Sequence, residues 1–165
     1  ANTLLVRDLQ QRKIVREYQA LVHGRLTAGR TLAAHIGRHP IKRTKMAVVD
    51  SGKLARTHIR IIERFKDLTH VRIKLETGRT HQIRVHMAYI HHPVLGDPVY
   101  AGRSRQPKNN NSDISTLARK FPRQALHAWR LELIHPSKEH VIDWTAPLPP
   151  DISILLSKIK NEPQK

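Results

Sequence analysis

The chain has 165 residues, enough for one domain with a modest core. With 30 Lys and Arg against 13 Asp and Glu, its formal charge is +17, which attracts polyanions: nucleic acid first, an anionic membrane surface second. The lack of cysteine excludes disulfides and cysteine-ligated zinc or iron–sulfur centres, and no apolar run approaches the roughly 18 residues a spanning helix needs.

ANTLLVRDLQQRK reads as the last turns of a helix, with Leu4, Leu5 and Leu9 on one side. Domains seldom start on the end of an element, so the expectation is a piece of a longer domain; a short helix left after methionine removal is the alternative. No signal-peptide pattern stands near Ala1, which together with the missing disulfides suits the cytoplasm. REYQALVH alternates, placing Tyr18, Ala20 and Val22 on one face of a strand, and KRTKMAVVD predicts another strand, stopped by Asp50, Ser51 and Gly52. ARTHIRIIERF and LTHVRIKLE flank a polar turn at Lys66 and Asp67 and predict an antiparallel hairpin. Past Gly78 the period changes. Ile83, Met87 and Ile90 stand at helical spacing, with Thr77 as the expected N-cap and Pro93 beyond the end. Ala101 to Ser115 is polar, includes three consecutive asparagines, and predicts a loop. ALHAWRLELIHP and HVIDW predict a second hairpin, closed by Pro147, Pro149 and Pro150, and DISILLSKIK predicts an amphipathic helix capped by Asp151 and followed by a loose tail. These elements make an α+β fold dominated by an antiparallel sheet.

The densest chemistry lies in LETGRTHQIRVH, from Leu75 to His86. On a helix His81 and Arg84 share a face, Arg79 and Gln82 fall in the first turn, and Ile83, Met87 and Ile90 form a face that can be buried. A helix start presenting a guanidinium, an imidazole and an amide beside unpaired backbone N–H groups suits a carboxylate or a nucleotide. A solvated basic helix end accounts for the same residues equally well in a chain this positive. His81, His86, His91 and His92 do not have metal-site spacing: a zinc pair on a helix needs i and i+4, and no carboxylate lies between His81 and His86. GRTHQ is not a phosphate-binding loop, and no G-x-S-x-G nucleophile elbow occurs.

LETGRTHQIRVHMAYIHHPVLGDPVYAGR resembles the signature segment of the RluA family of RNA pseudouridine synthases. REYQALVHG, RHPIKRTKMAV, RKFPRQALHAWRLELIHP and WTAPLPPDI resemble further family blocks in the same order, so the likeness spans nearly the whole chain, and it is greatest to the D-type branch acting on the large ribosomal subunit. The resemblance implies a mixed, mainly antiparallel sheet with a central cleft and flanking helices. Residues 1–160 would be the C-terminal portion of a catalytic domain and 161–165 a loose tail. It implies isomerisation of uridine to pseudouridine in large-subunit ribosomal RNA, without metal or cofactor, by a monomer: the N1–C1′ bond breaks, the base turns and is rejoined through C5, after the nucleotide is flipped into a pocket.

Residue by residue, the resemblance makes Arg84, in HQIR, the basic partner of a catalytic aspartate, keeping that carboxylate ionised. Tyr18, in REY, matches the tyrosine that packs against the target base; without the resemblance it reads as a strand tyrosine filling the core. Arg79, Thr80, His81 and Gln82 would support the pocket wall or touch RNA. Lys42, Arg43 and Lys45 form a basic block on the RNA side, or an ordinary solvated charge run. The chain departs from the family pattern at one point. The family's nucleophilic aspartate sits in a His-Arg-Leu-Asp block ahead of the tyrosine, and none of Asp8, Asp50, Asp67, Asp97, Asp113, Asp143 and Asp151 follows His-Arg-Leu. Asp97, in GDPVY, matches a different family position, of structural character. The nucleophile is therefore expected upstream of Ala1, and a non-catalytic RNA-binding module reusing the fold is the alternative.

Overall fold

The computed structural model describes residues 13–102, 116, 118, 120–135, 138 and 140–161. The expected N-terminal helix, most of the loop from Ala101 to Ser115 and the end of the tail lie outside the described residues. One seven-stranded sheet has the order β3-β2-β4-β5-β1-β6-β7. Its strands are β1 (Val15–His23), β2 (Arg30–Arg38), β3 (Met46–Val48), β4 (Lys53–Arg64), β5 (Leu68–Leu75), β6 (Leu126–Ile134) and β7 (Val141–Thr145). The expectation of a mainly antiparallel sheet holds: every strand pairing among the described residues is antiparallel. Both expected hairpins form, β4–β5 and β6–β7.

Strand alternation sorts the side chains into two layers. Ala20 and Val22 of β1, Val71 and Ile73 of β5 and Ile59 of β4 pack with Ile83 and Met87 of α1 (Gln82–Tyr89), and Tyr18 leans on the same cluster. On the other face Leu21 packs with Phe65, Leu68 and the inner side of α2 (Pro150–Lys160), through Ile152, Leu155, Leu156 and Ile159. Each fully buried Leu or Ile contributes about 1.5–3 kcal/mol, so the two clusters supply most of the drive to fold.

Local chemistry sets the ends differently from expectation. Thr77 does not cap α1: its hydroxyl accepts the Arg56 N–H at 2.9 Å and donates to Gln82 Oε1 at 2.8 Å. The N-cap is His81, in the left-handed region at φ 54, and it makes no side-chain cap bond. Asp151 does not cap α2 either. Pro149 is the N-cap and Pro150 the first helical residue, a position that needs no N–H donor. The Asp151 carboxylate in the first turn instead takes a two-pronged bond from Arg123, both at 2.8 Å. The register of β1 on β6 shifts between Glu17 and Tyr18: Tyr18 opposes Ala128 and Glu17 opposes Arg130, leaving Trp129 as the extra residue of a bulge. At Gly96 φ is +70, and any Cβ would run into the Arg123 carbonyl oxygen, so the tight passage before Asp97 requires glycine.

Candidate active site around Arg84

Gln82 is the hub at the start of α1. Its Oε1 accepts the Thr77 hydroxyl at 2.8 Å and the Arg79 N–H at 2.9 Å, and its Nε2 donates to Arg56 O at 3.0 Å and Thr57 Oγ1 at 2.9 Å. The side chain is buried and all four hydrogen-bonding positions are filled. This corrects the expectation of an RNA contact at Gln82: a buried amide satisfied from within supports the wall and has nothing left to offer a ligand. Behind it His86 Nδ1 meets Thr57 Oγ1 at 2.8 Å, and burial lowers the His86 pKa to about 4, which keeps the ring neutral.

Arg84 projects from the next position outward. Its Nε and Nη2 donate to Asp97 Oδ2 and Oδ1 at 2.7 and 2.8 Å, a two-pronged charged pair. Asp97 is buried, and its Oδ1 also accepts the N–H groups of Val99 at 2.9 Å and Tyr100 at 3.0 Å. Burial acts to raise the Asp97 pKa, but the bonds from Arg84, Tyr100 and Val99 outweigh it and hold the carboxyl below its usual range. The bond to Asp97 in turn raises the Arg84 pKa. The Tyr100 ring lies 4.9 Å from the guanidinium carbon, a cation–π contact. Its hydroxyl accepts the Met46 N–H at 3.0 Å and meets His81 Nδ1 at 2.9 Å. Desolvation and the Arg84 charge lower the His81 pKa, which favours the neutral ring. A guanidinium has five N–H groups. Asp97 engages two, and among the described residues the rest, on Nη1 and Nη2, have no hydrogen-bond partner.

The structure thus joins Arg84 and His81 and adds two residues the sequence reading did not place there. Asp97, expected to be structural, is the buried partner of Arg84, and Tyr100 lies beside both. Both reach Arg84 through the fold and not through helical spacing. A local signal existed: Asp followed by Pro, able to accept N–H bonds two and three residues on, is turn chemistry that fixes a carboxylate.

Tyr18 stands on β1 in the layer that α1 covers, beside a shallow groove of about 300 Å³ lined by Arg16, Ala128, Leu131, Trp144 and Ala146. Among the described residues no hydrogen bond joins Tyr18 to Arg84. Arg79 and Thr80 are exposed in the turn ahead of α1, and Lys42 and Arg43 are exposed in the β2–β3 turn beside Ile41, itself 85% exposed. Lys45, expected with them as an RNA contact, is half-buried and donates to Val99 O at 2.7 Å, tying that turn to the loop that holds Arg84. On the sheet face away from α1, a larger groove of about 970 Å³ gathers Arg56, His58, Arg60, Arg72 and Lys74 around Glu17 and Glu76.

An antiparallel sheet with an arginine held on a flanking helix, and a tyrosine in the same layer, defines a class the comparisons make explicit. The chain belongs to the RNA pseudouridylate synthase family, whose family model matches residues 2–89 and so includes both Tyr18 and Arg84. It is similar to proteins named ribosomal large subunit pseudouridine synthase D. The protein of Pasteurella multocida is 53% identical over 164 residues, which are 99% of this chain and 51% of that protein. That of Haemophilus influenzae is 54% identical over 160 residues, 97% of this chain and 49% of that protein. The D-type likeness read from the motifs is therefore borne out, and the chain spans about half the length of the curated relatives it matches. Among solved structures, human RNA pseudouridylate synthase domain containing 4 aligns with a TM-score of 0.74 at 22% identity, over 99% of this chain and 69% of that one. Human RNA pseudouridylate synthase domain containing 1 aligns at 0.69 and 23%, over 97% and 71%. Both share the fold. Among the described residues no helix is long and apolar enough to cross a membrane.

Proposed function

We propose that this chain supplies the arginine- and tyrosine-bearing part of a site that isomerises uridine to pseudouridine in large-subunit ribosomal RNA, working in the cytoplasm as a monomer. The observation that carries the reading is the Arg84 guanidinium, gripped on one edge by buried Asp97 and, among the described residues, unengaged on its outer edge. That edge suits a second carboxylate, the attacking group, contributed by sequence outside these 165 residues. A guanidinium at hydrogen-bond distance keeps such a carboxylate ionised at neutral pH. The N1–C1′ bond of the flipped nucleotide breaks, the base turns, C5 bonds to C1′, and the proton lost from C5 is balanced by one gained at N1. Tyr18 lies against the base while this happens. The relatives named for the large ribosomal subunit support the substrate, and the exposed cations Lys42, Arg43 and Arg79 near the Arg84 loop suit its phosphates.

The test is tritium release from C5-labelled uridine in a large-subunit rRNA transcript, with filter binding alongside. The full-length gene product is expected to release tritium. The 165-residue chain is expected to bind RNA without turnover, log K falling with log salt by about 0.7–0.9 per phosphate contact. Release by the 165-residue chain alone overturns the division of the site. Binding with no release by the full-length product points instead to a non-catalytic RNA-binding module.

A further inference from the structure

We propose that Asp97 and Tyr100 are the positioning residues of this site: together they set the direction in which Arg84 presents its outer edge. The inference rests on the functional reading above and specifies how that site is built. Arg84 already shares its charge with Asp97, so what it offers a second carboxylate depends on where its remaining N–H groups point. What Arg84 can contribute is a directed fork, and a fork is only as good as its orientation. A long arginine side chain on a helix surface has several rotamers open to it. Two independent constraints remove them here. The two-pronged bond to Asp97, at 2.7 and 2.8 Å, fixes the rotation of the guanidinium within its plane. The Tyr100 ring, 4.9 Å from the guanidinium carbon, fixes the tilt of that plane.

Both constraints are themselves anchored. Asp97 is clamped by the Val99 and Tyr100 N–H groups, and its side chain is fully enclosed. Tyr100 packs against the cluster of Ile36, Ala55 and Val85, and its hydroxyl is pinned by the Met46 N–H and by His81. The mount therefore reaches the sheet through β2, β3 and β4 and the helix through α1. A displacement of the guanidinium by about 1 Å is enough to cost about 100-fold in rate, so a mount of this rigidity matters to turnover.

The experiment is steady-state kinetics on the full-length enzyme with Asp97→Asn and Tyr100→Leu, each in the natural and the Arg84→Lys background, together with melting curves. Asp97→Asn is expected to lower kcat about 100-fold with KM changed less than about threefold. Tyr100→Leu, which keeps the ion pair and removes the ring beside it together with the hydroxyl that anchors that ring, is expected to lower kcat about tenfold. A lysine has no fork to aim, so in the Arg84→Lys background each change should add less than about threefold. If Asp97→Asn cannot be recovered folded, Tyr100→Leu alone carries the comparison. Unchanged kcat per folded molecule with only a lower melting temperature overturns the proposal, and so do equal losses in both backgrounds. Normal turnover by Arg84→Ala would overturn the functional reading and this proposal with it. An inactive Arg84→Ala beside fully active Asp97→Asn and Tyr100→Leu would overturn the positioning role alone.

Discussion

Two arginines in this chain each grip carboxylates, at different depths. Arg84 holds one carboxylate, Asp97, with side chains 12% and 0% exposed. Arg130, on the open β6–β7 hairpin, holds three, Asp143 and Glu132 of the hairpin and Glu17 of neighbouring β1; its side chain is 26% and that of Asp143 42% exposed. Arg130 has the longer list of partners and is the less consequential residue. Water and salt screen its pairs, and strand pairing holds the hairpin without them. The surroundings differ in the same sense. Around Arg84 the Asp97 carboxylate and the Tyr100 hydroxyl are each held by further hydrogen bonds, whereas on β6 and β7 Leu131, Ile134, Val141 and Trp144 stay exposed. Depth, more than the number of partners, decides what an ion pair is worth.

Breaking the buried pair should have the largest effect. Arg84→Ala in the full-length protein is expected to lose about 3–5 kcal/mol of unfolding free energy in urea titrations, because the Asp97 charge stays buried alone. Arg84→Met combined with Asp97→Asn removes both charges and keeps an acceptor for the Val99 and Tyr100 N–H groups, so it should recover most of that loss. A double variant no more stable than Arg84→Ala would mean that the unpaired charge is not the cause.

Acid should act next, through histidines kept neutral by depth. Burial lowers His86 and His70 from 6.5 to about 4, with Lys160 adding to the effect at His70. The folded-state values lie below the unfolded ones, so the unfolded chain takes up protons first as pH drops. The stability held by the neutral rings is full above pH 6.5 and is lost as pH falls toward 4, up to ~3 kcal/mol per histidine. Melting curves between those limits should show the decline, and His86→Gln should flatten part of it. A flat profile would contradict the burial of both rings.

Smaller still, Gln82→Ala strands the Arg56 carbonyl and the Arg79 N–H and is expected to cost about 1–3 kcal/mol, whereas Arg79→Ala, on the exposed turn three residues earlier, should cost almost nothing. The smallest effect belongs to Arg130→Ala, which should barely shift the melting temperature at low salt and not at all at high salt. A large loss there would erase the contrast between the two arginines.

Elements were legible where burial imposes a period. Tyr18, Ala20 and Val22 mark β1, and the long alternations of β4 and β5 mark their hairpin. Strand β2 was not legible: RTLAAHIGR buries only Leu32 and Ile36, spaced four apart among small residues, a spacing that suggests a helix as readily as a strand. The Thr77 cap failed because a hydroxyl can satisfy several neighbours, and tertiary contacts with Arg56 and Gln82 claimed it. In the site, the motif placed Arg84 on α1, but His81, expected to share a helical face with it, is the left-handed residue ahead of the helix and comes near Arg84 through Tyr100. The motif said nothing of what stands opposite, since the Asp97 carboxylate arrives through a loop whose path depends on the packing of the sheet beneath. For Gln82 the choice between wall support and RNA contact, and for Lys45 that between RNA contact and solvated charge, is open in the sequence, because residue type alone does not reveal whether a donor is already engaged.

Gly96 has a consequence for how this sequence can vary. It sits directly before Asp97 and against the backbone of Arg123, whose fork grips Asp151 at the start of α2. A side chain there would press on two distant fittings at once, the loop that aims Arg84 and the clasp that seats the last helix. A saturation library scored for folded protein should find this position closed to all substitutions, although glycine has no side chain with which to do chemistry. Any remodelling of the Arg84 loop must therefore proceed around this one position.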